Sequence, residues 1–191
     1  MDVLAHGLWT NVMYKAIPQV RHNRKIVLWG IALGVLPDLV SFVPVFLELF
    51  YKIITKSASF GSGRPDFDSF GFGQYAAASY NYTHSLVVWI IAVALAFAVY
   101  RKFPWILLGW GLHIGIDIFS HTKEFYATPF LFPLSDFKVS AVPWSHPVFM
   151  IVNYGLLFIM YLFVIPKFSN KKSANVIASE ETQDVSKRDN L

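Results

Sequence analysis

Long apolar runs separated by short polar punctuation dominate the chain. A moderately apolar segment, 1–17, stops at Pro18 and is followed by the basic loop Arg21, His22, Arg24, Lys25. Residues 26–54 form the next run, interrupted at Leu36-Pro37-Asp38. Proline withholds a backbone donor and disfavours helix in the residue before it, so the pattern predicts two short helices broken at Pro37. Further apolar runs occupy 84–100, 104–121 and 147–166. The last carries no charge before its C-terminal end and is long enough for ~30 Å of hydrocarbon. Between the runs lie two polar, turn-rich stretches, 57–83 and 122–146, both predicted to be irregular. Thr83 is predicted to cap the run that follows, which puts His84 in its first turn at the membrane surface.

Composition fixes the class. Hydrophobic residues make up 55% of the chain and charged residues 15%, too apolar a balance for an ordinary soluble domain. The predicted fold is all-α, a polytopic membrane bundle of about four to five helices. The bundle takes up 1–166, and the Ser-, Lys- and Glu-rich tail 167–191 is predicted to be a disordered cytoplasmic extension. Cysteine is absent, which excludes disulfides and thiolate metal sites. Basic residues cluster at Arg21–Lys25, Arg101-Lys102 and Lys167–Lys172. In a membrane protein such clusters report the cytoplasmic side before they report nucleic acid, and no nucleic-acid partner is expected. The two irregular stretches then share the opposite side.

The chemistry sits in the run PWILLGWGLHIGIDIFSHTKEF, 104–125. His113, Asp117 and His121 are spaced by four residues and share one helical face. Ionisable groups inside a membrane-length segment are costly and mark function by default. Two imidazoles around a carboxylate suit a divalent ion such as zinc, manganese or iron. The plain alternative is a polar stripe that hydrogen-bonds neighbouring helices. At ~1.5 Å per residue, His113, Asp117 and His121 lie about 14, 20 and 25 Å above the cytoplasmic face. Asp38 comes at about 20 Å, His6 at about 18 Å, and His84 at the outer surface above them. Independent segments thus deliver polar groups to the outer half of the bilayer. Gly109, Gly111 and Gly115 are expected to let another helix approach closely.

The blocks Ala5-His6-Gly7, Leu36-Pro37-Asp38, Thr83-His84-Ser85, His113-x3-Asp117 and Phe132-Pro133-Leu134-Ser135-Asp136 occur in this order. In that order they resemble the membrane-bound, metal-dependent hydrolase-like proteins of the YdjM type, distant relatives of zinc-dependent phospholipases C. The resemblance covers about residues 1–150 and implies a prokaryotic inner-membrane location. It implies His6, Asp38, His84, His113 and Asp117 as metal-site residues, with His121 shared by only part of the family. The family pattern often carries a further acidic residue and a histidine after the LPD block, where this chain has Leu39, Val40 and Ser41.

These readings combine into an expected function. The chain is expected to be a hydrolase acting on an ester or phosphodiester near lipid headgroups. One or two divalent ions, zinc first, would activate water, with Asp38 and His84 as the catalytic pair. Asp136 and Lys138 in the outer stretch are candidates for orienting an anionic group of a lipid or phosphoester substrate. A metal or proton transporter and a non-catalytic metal-stapled scaffold use the same residue types and stay open.

Overall fold

A computed structural model describes residues 1–55 and 70–166. Among these the regular structure is helical, with no strand beyond an isolated bridge between Thr122 and Phe125, and 121–146 is irregular as predicted for 122–146. The helices are α1 (Val3–Ala16), α2 (Arg24–Ile54), α3 (Gly73–Thr83), α4 (Leu86–Tyr100), α5 (Leu108–Ser120) and α6 (Pro147–Ile159). A 3-10 turn, Trp105–Leu107, leads into α5, and a π turn, Met160–Val164, continues α6. The expectations for 167–191 and for 57–69 fall outside the described residues.

Local chemistry starts the helices. Asp2 accepts from the Ala5 amide at 2.9 Å, Asn23 from Ile26 and Ser85 from Val88, both at 3.2 Å. Each satisfies one of the orphan donors of a first turn. Pro147 opens α6 at a position where its missing N–H costs nothing.

The all-α prediction holds, and several details do not. Pro37 does not break the chain: α2 runs through both Pro37 and Pro44 as one helix of 31 residues. A proline removes one bond of the ladder, and neighbouring helices can take up the freed carbonyls. The second half of the stretch predicted to be irregular is helical, since α3 spans Gly73–Thr83. Glu48 anchors its start by accepting from the Gly71 and Phe72 amides, each at 3.0 Å. Thr83 ends α3 instead of capping α4, and the cap is Ser85.

α2 is the centre, packed against α1, α3 and α5, with α6 laid on α1. Small residues allow the close approach. A Cβ on Gly109 would lie 2.0 Å from the Gly30 carbonyl oxygen, and one on Gly34 would lie 2.4 Å from Thr10 Oγ1. Gly30 and Gly34 form a GxxxG pair, so α2 meets α5 nearly backbone to backbone at Gly109 and makes room for Tyr14 and Thr10 of α1. Gly111 serves the same end against Trp89, but Gly115 has nothing within 4 Å of its would-be Cβ and serves no packing role.

Among the described residues, α2 is the one helix long and apolar enough to cross a membrane. The pair α3–α4 qualifies as a single span bent by 57° at its break, and the helical stretches 105–120 and 147–163 are apolar but shorter.

Candidate metal centre

Four elements deliver six polar side chains to one buried point. α1 brings His6, α2 Asp38, the α3–α4 junction His84, and α5 His113 and Asp117 with His121 at its end. All six are buried. Asp38, His84, His113 and Asp117 each place one donor atom within 4.8 Å of the others, a group that could hold a metal ion.

His84 is the largest correction to the depth estimate. It does not stand above the other polar groups but is fully buried against His113. The bend at the α3–α4 break turns the junction inward, and three contacts hold it there. Trp110 Nε1 donates to the Thr83 carbonyl at 2.6 Å, the Leu86 amide donates to Phe130 O at 2.9 Å, and the Ser85 hydroxyl donates to Phe132 O. Tyr80 stacks on the His84 ring with centroids 3.7 Å apart.

The surrounding hydrogen bonds fix which nitrogens carry protons. The Gly34 carbonyl lies 2.8 Å from His113 Nδ1, and a carbonyl can only accept, so Nδ1 is the protonated nitrogen of His113. Pro37 has no amide hydrogen to donate to the carbonyl of Leu33, the residue before Gly34. The Thr83 hydroxyl spends its proton on the Ser79 carbonyl at 2.9 Å. Its oxygen therefore accepts from His84 Nδ1, also at 2.9 Å. Both imidazoles turn a bare Nε2 lone pair into the cluster, the arrangement that outer hydrogen bonds impose on metal-binding histidines.

Those two lone pairs face each other at 3.0 Å. Asp117 Oδ2, which has no hydrogen-bond partner, lies 3.2 Å from His113 Nε2 and 3.4 Å from His84 Nε2. Asp38 Oδ1 lies 3.4 Å from His84 Nε2 and 3.7 Å from His113 Nε2. Four acceptors packed this closely without a proton between them repel one another, and a cation among them removes the conflict. Tetrahedral ligands at ~2.0–2.1 Å from a zinc ion are separated by roughly 3.3 Å, in the middle of these spacings. The residues fit a divalent ion.

The other carboxylate oxygen of Asp117 faces a different set. His6 Nε2 lies 3.0 Å from Oδ1, Ser120 Oγ donates to it at 3.2 Å, His121 Nδ1 is 3.4 Å away, and the Met1 amine also contacts it. His6 stacks on His113 with centroids 3.8 Å apart, and its Nδ1 is buried without a partner.

All six histidines and aspartates expected at the metal site are thus together. Asp136 and Lys138 are not among them. They line a different cavity of about 550 Å³ in the 121–146 stretch, with Lys123 and Tyr126. A second cavity of about 410 Å³ does reach the cluster, and Asp38 and His121 form part of its wall. Gly34, Tyr80, Ser120 and the Thr83 hydroxyl also position the cluster. Only Thr83, adjacent to His84, and Ser120, one turn after Asp117, left a signal in the sequence that could have pointed to them.

A family model described as YdjM inner membrane protein matches residues 1–179. No curated protein and no solved structure matches the chain.

Proposed function

The chain belongs to the YdjM inner membrane protein family and is an inner-membrane protein, and from that premise we propose a membrane-embedded, metal-dependent hydrolase. Its substrate is an ester or phosphodiester near the membrane surface. In this reading α5 and α6 cross the bilayer beside α2 and the bent α3–α4 pair, with α1 inserted among them, giving about four to five membrane helices.

The observation that carries the proposal is the contact between cluster and cavity. Asp38 is the one member of the four-donor group that also borders open space, and His121 borders it beside Asp38. His84, His113 and Asp117 would hold the ion, zinc by its preference for nitrogen and oxygen donors, with manganese or iron as alternatives, leaving the fourth position to water beside Asp38. A bound divalent ion lowers the pKa of water toward ~7 and polarises the bond under attack. Asp38 takes the proton that water loses as its oxygen attacks the carbonyl carbon or phosphorus. The same proton then passes to the alkoxide released when the C–O or P–O bond breaks. Thr83 and Gly34 hold His84 and His113 in the tautomer the site requires. His6 and His121, on the far side of Asp117, fix the carboxylate or share a second ion.

One observation favours a different reading. Four protein donors at tetrahedral spacing form a closed set, the usual mark of a structural ion. In that case the ion staples α2, α3 and α5 and performs no chemistry. The two readings separate on Asp38→Asn and His84→Gln, measured with zinc or manganese restored after chelation. The hydrolase predicts folded, inserted mutants that lose ester or phosphodiester turnover by at least roughly tenfold. A wild-type protein that binds metal yet turns over no such substrate, with mutants that are only less heat-stable, would establish the staple.

A further inference from the structure

The 410 Å³ cavity is polar at one end and apolar along the rest. Asp38, Leu39, Phe42, Val43 and Phe46 of α2 line it, facing Trp144. These positions make one stripe rising about 12 Å along the helix from the cluster. Leu39, Val43 and Phe46 are exposed by 40%, 39% and 44%. In an inner-membrane protein, exposed apolar groups on a spanning helix face hydrocarbon, so the cavity opens sideways into the bilayer. Its size is within the range of small-ligand sites.

Charge narrows what can enter. The lining includes the carboxylates of Asp38 and Asp2 and, as its cation, the Met1 amine that contacts Asp117, with no lysine or arginine. Asp2 Oδ2 is buried without a partner. A divalent ion in the cluster and the Met1 amine on Asp117 together balance Asp2, Asp38 and Asp117, so an anionic phosphodiester would find no surplus positive charge to receive it. An uncharged carboxylic ester meets no such penalty.

We infer that this groove receives one acyl chain of a membrane lipid laterally from the bilayer, placing its carboxylic ester against Asp38 and His121. The inference rests on the hydrolase reading for its purpose, but the groove can be tested without turnover. Full-length protein in phosphatidylcholine nanodiscs is titrated with a monoacylglycerol brominated along its chain. Quenching by bromine is read as the fluorescence difference between wild type and Trp144→Phe, which isolates the tryptophan in the groove. The Trp144 signal should quench saturably at low mole fraction, and unbrominated monoacylglycerol should reverse it. Val43→Phe, which fills the groove, should raise the half-saturating mole fraction about tenfold, the usual effect of misfit in an apolar pocket. Leu39→Phe is the second filling variant should Val43→Phe not fold.

Quenching that rises only in proportion to brominated lipid, or that ignores both variants, would overturn the groove. An alkyl phosphodiester of equal chain length that competes as well as the monoacylglycerol would overturn the preference for a carboxylic ester. Saturable quenching without ester turnover would remove the hydrolase and leave the groove. Turnover of a short water-soluble ester without saturable quenching would do the reverse.

Discussion

α4 and α5 are neighbours in sequence, similar in length and apolar, yet they do opposite work. α4, LVVWIIAVALAFAVY, has no buried side chain. α5, LGWGLHIGIDIFS, buries Gly109, His113, Ile114, Asp117 and Ser120. In water the more hydrophobic helix would be the better buried. In a bilayer the lipid is as apolar as leucine, so hydrophobicity drives no helix against another. What buries a helix there is the ability to come close, through glycine, and the need to satisfy polar groups away from lipid. α5 has both and α4 has neither.

The largest effect expected from this contrast is at Asp117. Its carboxylate is shared by His6, His84, His113, His121 and Ser120. Asp117→Ala should empty the metal site and cost about 3–5 kcal/mol, because it strands buried polar partners. Metal content of the purified protein and unfolding in a denaturing detergent would check both halves. Retained metal would mean the ion sits elsewhere.

Two glycines of α5 sharpen the contrast within one helix. Gly109→Ala drives a methyl group into the Gly30 carbonyl, a backbone atom that cannot step aside. The expected cost is about 1–3 kcal/mol, with metal affinity falling as α5 moves from α2 and His113 from Gly34. Gly115→Ala meets nothing and should be neutral or stabilising by up to about 1 kcal/mol through helix propensity. Equal losses at both positions would show that helix flexibility, not close approach, is what glycine supplies. Thr83→Val comes next. It keeps the shape beside His84 but removes the acceptor that sets its tautomer, and metal should bind about 10–100-fold more weakly with the fold unchanged. Isothermal titration against zinc reads this directly.

The same contrast explains what the sequence made legible. The polar residues could be found because a buried histidine or aspartate in an apolar run has few innocent explanations. His6, Asp38, His113, Asp117 and His121 converge largely as depth counting expected. Counting failed at His84, since a linear rise along the chain cannot show that the α3–α4 break turns back into the bundle. Pro37 misled for a related reason: proline breaks a helix in isolation, but here α2 keeps its course while packed on three neighbours. The GxxxG pair at Gly30 and Gly34 is visible in the sequence, but spacing alone does not separate glycines that meet a neighbour, such as Gly109, from Gly115, which meets nothing. Asp136 closes the family's block and Lys138 follows it by two residues, but both line a different cavity from the cluster. The number of spans is hardest to count, because α5 and α6 are shorter than a straight crossing.

The smallest expected effect tests α4 itself. Leu95, 63% exposed, projects from a helix packed chiefly against α3 and α5. If lipid is what surrounds it, Leu95→Ala exchanges one lipid-facing side chain for a smaller one in both folded and unfolded membrane-bound states. The two losses cancel, and stability should change by no more than about 0.5 kcal/mol. A soluble protein with the same burial would respond no more strongly, so the null result alone says little. The discriminating partner is Leu95→Lys, which a solvent-exposed surface accepts freely. At mid-helix in a bilayer a lysine is disfavoured by about 2.5–3.5 kcal/mol on insertion scales. Poor insertion of Leu95→Lys beside an indifferent Leu95→Ala would fix α4 as a lipid-facing helix. Tolerance of both would return α4 to water and remove the premise on which its contrast with α5 depends.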